Sequence, residues 1–88
     1  IEYYTGPYAK IFTDNPEHAI RKYALTANFA DRLGLKINAG HDLNLDNLKY
    51  FKDHVPNLAE VSIGHAIVCD SLYYGLENTI QMYRRCLA

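Results

Sequence analysis

The 88-residue sequence predicts an α/β fold in which three short strands alternate with helices. Three segments of about five residues alternate apolar and polar side chains, which is typical of half-buried strands. Longer segments between and after them carry apolar residues at helical spacing, and glycines stand at the segment boundaries. Strands separated by helices of this length form parallel sheets, so the predicted order is β-α-β-α-β-α.

The first strand is predicted over residues 1–5 and ends at Gly6-Pro7, which we interpret as a turn leading into a loop. Asn15 is the predicted cap of the first helix, because its side chain can accept a hydrogen bond from a free N–H group. Gly34 is expected to end this helix, since it tolerates the left-handed conformation. The predicted apolar face of the helix consists of Ile20, Tyr23, Ala24, Ala27, Ala30 and Leu33.

Two further strands are predicted over residues 35–39 and 60–63. Each is followed by the same dipeptide, at Gly40-His41 and Gly64-His65. A glycine also follows the first strand, so we expect three equivalent strand–helix units. Repeated units of this kind are typical of a barrel or a doubly wound sheet.

The remaining helices lie in the second half of the chain. One is expected to be capped by Asn44 or Asp46 and to end before Pro56, because the residue before a proline avoids the helical region. A short helical turn is predicted over residues 66–71. The last helix is predicted after Gly75, with an apolar face formed by Leu76, Ile80, Tyr83 and Leu87.

One face of the predicted sheet is polar. Glu2, Lys36 and Glu60 each lie four residues before a glycine, and we expect them to form a charge-paired layer unless barrel stagger separates them. Parallel sheets are normally covered on both faces, so a polar face favours the inside of a (β/α)8 barrel, with a solvent-facing surface as the alternative. A full barrel needs about 250 residues. Residues 1–88 are therefore predicted to be a partial TIM-barrel domain, approximately strands 6 to 8 with their helices.

Composition narrows the function classes. The formal net charge is −1, from 9 Lys and Arg against 10 Asp and Glu, which argues against a nucleic-acid partner. No apolar stretch is long enough to span a bilayer, so we expect no membrane partner. Cys69 and Cys86 are too few for a disulfide framework and lack zinc-site spacing. We therefore expect reduced thiols, no metal and a cytoplasmic location.

Several residues at the carboxyl ends of the strands can carry chemistry. His41 and His65 stand where barrel enzymes place their catalytic loops, and histidine transfers protons near neutral pH. Gly64, with a helix opening after it, predicts a phosphate site, because free N–H groups then point at the anion. Glu2 lies inside the first predicted strand, on its polar face, and is either a carboxylate that stabilises a charged intermediate or a structural group paired with Lys36.

Three segments together resemble the C-terminal part of the pyridoxine 5'-phosphate synthase family. They are IEYYTG at residues 1–6 with YA at 8–9, LGLKINAGH at 33–41, and IGHAI at 63–67. The resemblance extends over essentially all 88 residues at matching spacings. The combination of NAGH and IGHAI is far more specific than either motif alone.

The resemblance implies a (β/α)8 barrel that assembles into an octamer. It implies condensation of 1-deoxy-D-xylulose 5-phosphate with 3-amino-2-oxopropyl phosphate to pyridoxine 5'-phosphate, phosphate and water, without a metal or organic cofactor. By the same resemblance His41 is the proton donor and Glu2 stabilises the transition state. The residues implied to bind the amino-ketone phosphate are Asp42, Gly64 and His65. Asp42 stands where the family often has glycine, so we expect a backbone contact with the carboxylate turned away.

Two other functions remain open from the residues alone. Another phosphate-binding barrel enzyme, such as a sugar-phosphate isomerase or epimerase, would keep the phosphate site without the two-histidine pattern. A non-enzymatic α/β interaction module would be complete in 88 residues and would unfold cooperatively by itself.

Overall fold

The computed structural model describes residues 1–88 and contains a sheet of three parallel strands with five helices. The strands are β1 (Glu2–Tyr4), β2 (Ile37–Gly40) and β3 (Leu58–Ser62), which lie side by side in that order. The helices are α1 (Gly6–Phe12), α2 (Pro16–Arg32), α3 (Leu48–His54), α4 (His65–Tyr74) and α5 (Leu76–Leu87). The α/β class and the parallel sheet are therefore confirmed.

The segment predicted to be a turn and a loop after β1 is instead the helix α1. Pro7 lies in its first turn, where a missing N–H group removes no helical hydrogen bond. Tyr8 is fully buried and Ile11 is half-buried, so the helix packs into the core. The prediction was wrong because it treated Gly6-Pro7 only as a turn that interrupts regular structure, although proline is also favoured in the first turn of a helix.

Helix α2 follows the prediction closely. The side chain of Asn15 accepts a hydrogen bond from the His18 N–H at 3.0 Å, and Pro16 is the first helical residue. Beyond the last turn Gly34 adopts φ 73°, the left-handed conformation that was expected. Ile20 is buried with Ala27 and Ala30, but Leu33 is exposed.

Helix α3 ends at His54, before Pro56 as predicted, but its start differs. The Asn44 side chain accepts hydrogen bonds from the N–H groups of Asp46 and Asn47, at 2.9 and 3.0 Å, in the turn before the helix. Neither Asn44 nor Asp46 is the cap residue, because that position belongs to Asn47.

Helices α4 and α5 form a pair joined at Gly75, which adopts φ 83°. Helix α4 is longer than the predicted turn and has no buried residue. Helix α5 buries Thr79 and Tyr83, and the Tyr83 hydroxyl donates to the Asp70 carboxylate at 2.7 Å. Leu76 and Ile80, predicted for its buried face, are exposed.

The strands are not aligned as the glycine after each predicted strand had suggested. Tyr4 pairs with Gly40, and Gly40 pairs with Ser62, so these three residues are level at the carboxyl edge. Gly6 and Gly64 each lie two residues beyond a strand, whereas Gly40 lies inside one. The predicted equivalence of the three glycines is therefore wrong, and His41 and His65 are not at equivalent positions.

The stagger also rules out the predicted charge-paired layer. Asn38 of β2 pairs with both Glu2 and Glu60, whereas Lys36 precedes the strand. Lys49–Asp53 is the ion pair between a lysine and a carboxylate in the structure, so Lys36 neutralises neither Glu2 nor Glu60.

The core lies on the helix-covered face of the sheet. It includes Ile37 and Ala39 of β2, together with an aromatic cluster centred on Tyr8. The Tyr8 ring lies 4.9 Å from Phe51 and 6.0 Å from Tyr23, in edge-to-face geometry. The opposite, polar face is open in this chain.

Candidate active site

A cleft of about 780 Å³ extends from the sheet to the residues that follow β2 and β3 at its carboxyl edge. Its lining includes four of the residues singled out from the sequence, namely Glu2, His41, Gly64 and His65. A smaller cleft of about 270 Å³ shares His41 and His65 and adds Asp42. The five predicted site residues thus border two adjoining clefts.

Gly40 brings β2 unusually close to β3 at this edge. A Cβ atom on Gly40 would lie 1.9 Å from the Ser62 carbonyl oxygen, a distance that no side chain can occupy. The same oxygen accepts a hydrogen bond from the His41 N–H at 2.9 Å. The close approach of Gly40 therefore fixes where the next residue, His41, leaves the sheet.

His41 itself adopts φ 68°, a conformation that is uncommon for a residue with a side chain. Such a conformation costs about 1–3 kcal/mol and persists only where surrounding bonds hold it. The imidazole is 85% exposed and lies at the border of both clefts. This arrangement presents a proton-transfer group to a molecule in either cleft.

The Asp42 carboxylate lies beside that imidazole, with Oδ2 3.3 Å from Nδ1 of His41. The backbone N–H and carbonyl groups of Asp42 both form hydrogen bonds within the chain. The N–H donates to the Gly40 carbonyl at 2.9 Å, and the carbonyl accepts from the Asn47 side chain at 3.3 Å. The Asp42 carboxylate therefore faces His41, and the expected backbone contact of Asp42 with a substrate phosphate stays a prediction.

Glu2 is exposed on the open polar face and lines the larger cleft. Lys36 forms no ion pair with it, so the interpretation of Glu2 as a structural carboxylate paired with Lys36 is wrong. An unpaired carboxylate at this position can stabilise positive charge that develops in a bound molecule.

Gly64 and His65 form the start of α4. Gly64 has φ −111°, which any residue adopts, and a Cβ atom there would meet nothing within 4 Å. The fold therefore does not require glycine at this position. The first N–H groups of α4 have no partner within the helix, which makes its N-terminus suited to an anion. The side chain of His65 contacts Cys69, with 3.6 Å between Nε2 and Sγ.

Thr5 is a site residue that the sequence did not reveal. Its side chain is fully buried, and its hydroxyl donates a hydrogen bond to the Gly40 carbonyl. The hydroxyl oxygen also accepts from the Asp42 N–H, with 3.4 Å between oxygen and nitrogen. These contacts join residues more than 30 positions apart, so only the folded chain shows them.

The groups with shifted pKa values are core tyrosines. Burial raises the pKa of Tyr8 and Tyr23, and burial together with the nearby Asp70 raises that of Tyr83. The neutral Tyr23 hydroxyl donates to the Tyr4 carbonyl at 2.7 Å. This bond ties α2 to the end of β1 that leads into the site.

The structure contains no group of three or more His, Cys, Asp or Glu side chains that could hold a metal ion. Both cysteines are free thiols. None of the helices combines the length and the apolar character that crossing a membrane requires.

A comparison with protein families gives a match over residues 1–88 to the family described as "Pyridoxal phosphate biosynthesis protein PdxJ". The chain belongs to the PdxJ family. The resemblance drawn from the residues is thereby confirmed.

Curated relatives of this PdxJ chain carry the name "Pyridoxine 5'-phosphate synthase". The protein from Cytophaga hutchinsonii is 61% identical over 85 residues, which cover 97% of this chain and 36% of that protein. The Porphyromonas gingivalis protein is 54% identical over 88 residues, or 100% of this chain and 37% of the relative. The Parabacteroides distasonis protein is 52% identical over 87 residues, which cover 99% of this chain and 37% of that protein. This chain thus spans little more than a third of the length of these relatives.

Proposed function

We propose that this chain is the C-terminal part of a pyridoxine 5'-phosphate synthase. The reaction is the condensation of 1-deoxy-D-xylulose 5-phosphate with 3-amino-2-oxopropyl phosphate to pyridoxine 5'-phosphate, phosphate and water. The observation that carries the proposal is the meeting of Glu2, His41, Gly64 and His65 in one cleft at the carboxyl edge of a parallel sheet. Barrel enzymes bind their substrates at this edge.

The proposal includes a complete (β/α)8 barrel, of which residues 1–88 form a partial domain. The sheet has an unpaired edge on β1 and another on β3, and its polar face is open. Unpaired edges and one bare face are unusual for a parallel sheet. The remaining length of the relatives would supply the strands that pair with both edges and close the barrel.

His41 is the proposed proton donor. The condensation of an amine with a ketone releases water, and phosphate leaves later, so protons must be moved in several steps. The imidazole of His41 is exposed at the cleft, and histidine is the side chain that most often transfers protons in enzymes. The unpaired carboxylate of Glu2, in the same cleft, is proposed to stabilise the transition state.

Gly64 and His65 are proposed to hold the phosphate of the amino-ketone substrate. Helix α4 has ten residues, and its N-terminal N–H groups open beside the cleft that Gly64 and His65 line. Gly64 lets the anion approach the backbone, because no Cβ atom stands in the way. The resemblance also implies Asp42 for this substrate, and Asp42 borders the adjoining smaller cleft.

The same proposal includes assembly into a homo-octamer in the cytoplasm, without a metal or organic cofactor. Large apolar side chains on α4 and α5 support further packing partners in the full-length protein, since they are exposed here: Val68, Leu72, Tyr73, Tyr74, Leu76 and Ile80. Sedimentation of a full-length protein that carries this segment tests the octamer, and EDTA treatment with no loss of turnover tests the absence of a metal.

A chimaera tests the activity directly. In this protein, hereafter the chimaera, the 88 residues replace the matching 36% of the Cytophaga hutchinsonii relative. With both substrates present, we expect one pyridoxine 5'-phosphate and one phosphate per turnover. A chimaera that unfolds cooperatively but forms no product would contradict the proposal. Interconversion of a single sugar phosphate would instead support an isomerase or epimerase.

A further inference from the structure

His41 needs support from its neighbours, because its backbone has φ 68° and its side chain is 85% exposed. An exposed side chain in an uncommon backbone conformation does not hold one orientation by packing. A proton donor nevertheless works only at the correct distance and angle from the reacting atom. The groups that touch His41 therefore determine whether it is in place.

The backbone around His41 is held by the hydroxyl of Thr5. This hydroxyl donates to the carbonyl of Gly40, the residue before His41, and accepts from the N–H of Asp42, the residue after it. Thr5 is 0% exposed, so water does not compete for these bonds. The buried hydroxyl of Thr5 therefore bonds to the residues on both sides of His41, which adopts the left-handed conformation.

The ring of His41 is held by Asp42, whose Oδ2 lies 3.3 Å from Nδ1. A carboxylate only accepts hydrogen bonds, so this contact requires a proton on Nδ1. Nε2 is then the nitrogen that exchanges its proton with a bound molecule. The contact also limits rotation of the ring about its bond to Cβ.

We propose that Thr5 and Asp42 are positioning residues for His41, with Thr5 holding the backbone turn and Asp42 fixing the tautomer and direction of the ring. This inference rests on the proposed role of His41 as proton donor. It assigns Asp42 an action through His41 instead of a direct contact with phosphate.

Direct binding of phosphate by Asp42 fits the structure poorly. Its carboxylate would repel the anion, and its N–H and carbonyl groups already bond to Gly40 and Asn47. The part of Asp42 that remains available is the carboxylate, and that group faces His41.

A double-mutant cycle in the chimaera tests the action of Asp42. We expect Asp42→Ala to lower kcat about tenfold with an unchanged KM for both substrates, because small misplacements of a catalytic group reduce turnover up to about 10²-fold. Asp42→Asn should recover most of kcat, since its amide oxygen still accepts the Nδ1 proton. In the His41→Asn background, Asp42→Ala should have no further effect. Asp53→Ala is the matched control, because its carboxylate pairs with Lys49 on the surface.

A pair of substitutions tests the action of Thr5. Thr5→Val keeps the shape but removes the hydroxyl, and we expect about tenfold lower kcat with little change in KM. Thr5→Ser keeps the hydroxyl and should restore kcat, which mere loss of packing at this site would not predict. Thr26→Val removes an exposed hydroxyl that bonds within α2 and serves as the control.

The outcomes separate this inference from the proposed function. Wild-type kcat in His41→Asn would show that His41 is not the proton donor. If His41→Asn abolishes turnover while Asp42→Ala and Thr5→Val retain wild-type kcat, the positioning roles are wrong. A raised KM in Asp42→Ala, or an effect that persists without His41, would assign Asp42 to direct substrate contact.

Discussion

Gly40 allows β2 and β3 to approach more closely than any residue with a side chain would. This close approach determines where His41 leaves the sheet. A Cβ atom would lie 1.9 Å from the Ser62 carbonyl oxygen, which is backbone and cannot swing aside. We predict that Gly40→Ala lowers the free energy of unfolding of the chimaera by about 3 kcal/mol, through overpacking. Urea unfolding measures this change.

Gly64→Ala is the matched control for that measurement. The added Cβ atom meets nothing within 4 Å, so the free energy of unfolding should fall by no more than about 1 kcal/mol, the usual cost of alanine at a cap position. Equal stability of the two alanine variants would contradict the assigned role of Gly40.

Gly64 should instead matter for substrate binding. We predict that Gly64→Val raises KM for 3-amino-2-oxopropyl phosphate, because the side chain would stand between the anion and the N–H groups of α4. Thermal unfolding should be nearly unchanged, since the fold leaves space at this position. An unchanged KM in a folded variant would remove Gly64 from the phosphate site.

Much of the candidate site could be predicted from residue types and their places at strand ends. His41, Gly64 and His65 were singled out in this way, Glu2 was singled out as an acidic residue on the polar face of a strand, and the fold brings all four to one cleft. Thr5 could not be found, because its two partners lie 35 and 37 positions away and nothing local marks the contact. The direction of the Asp42 carboxylate likewise depends on the turn at His41.

At the scale of elements, α1 is fixed to α3 through Tyr8. The Tyr8 hydroxyl donates to the Asn47 carbonyl at the start of α3, and the ring packs against Phe51. Tyr8→Phe should therefore lower the free energy of unfolding by about 1 kcal/mol at pH 7, the value of one buried hydrogen bond.

The stability advantage of Tyr8 over the Tyr8→Phe variant should disappear in alkali. Burial raises the pKa of Tyr8 in the folded state, so above about pH 10 the unfolded chain loses this proton first. The contribution of Tyr8 is thus complete below about pH 10 and falls by about 1.4 kcal/mol for each further pH unit. Urea unfolding of the chimaera and its Tyr8→Phe variant should give equal stability at about pH 11. A constant difference from about pH 7 to about pH 11 would contradict the burial of this hydroxyl.

The helix with clear local sequence signals was the one predicted most accurately. Helix α2 combined a cap at Asn15, an apolar face and a glycine stop; the cap and the stop agree with the structure, as does most of the face. Helix α1 was missed because seven residues are too few for a clear helical period, and because the burial of Tyr8 depends on α3. The strand register was equally out of reach, since the pairing of Glu2 with Asn38 is set by the whole sheet.

At the scale of the molecule, the 88 residues leave much apolar surface uncovered. Only 16 residues are buried, and none of them lies in α4. We predict that the isolated chain binds a hydrophobic dye and unfolds without a sharp transition, whereas the chimaera unfolds cooperatively. Calorimetry of the isolated chain and of the chimaera measures how sharp each unfolding transition is. A sharp transition without dye binding in the isolated chain would favour a self-sufficient interaction module.

If this segment supplies the proton donor of a pyridoxine 5'-phosphate synthase, as proposed, turnover of the chimaera depends on His41. The most direct test is the steady-state rate of pyridoxine 5'-phosphate formation by the chimaera with and without His41→Asn. We predict a fall in kcat of at least about 10²-fold with a nearly unchanged KM for both substrates, as is typical of losing a general acid. A kcat equal to that of the unsubstituted chimaera would contradict the claim.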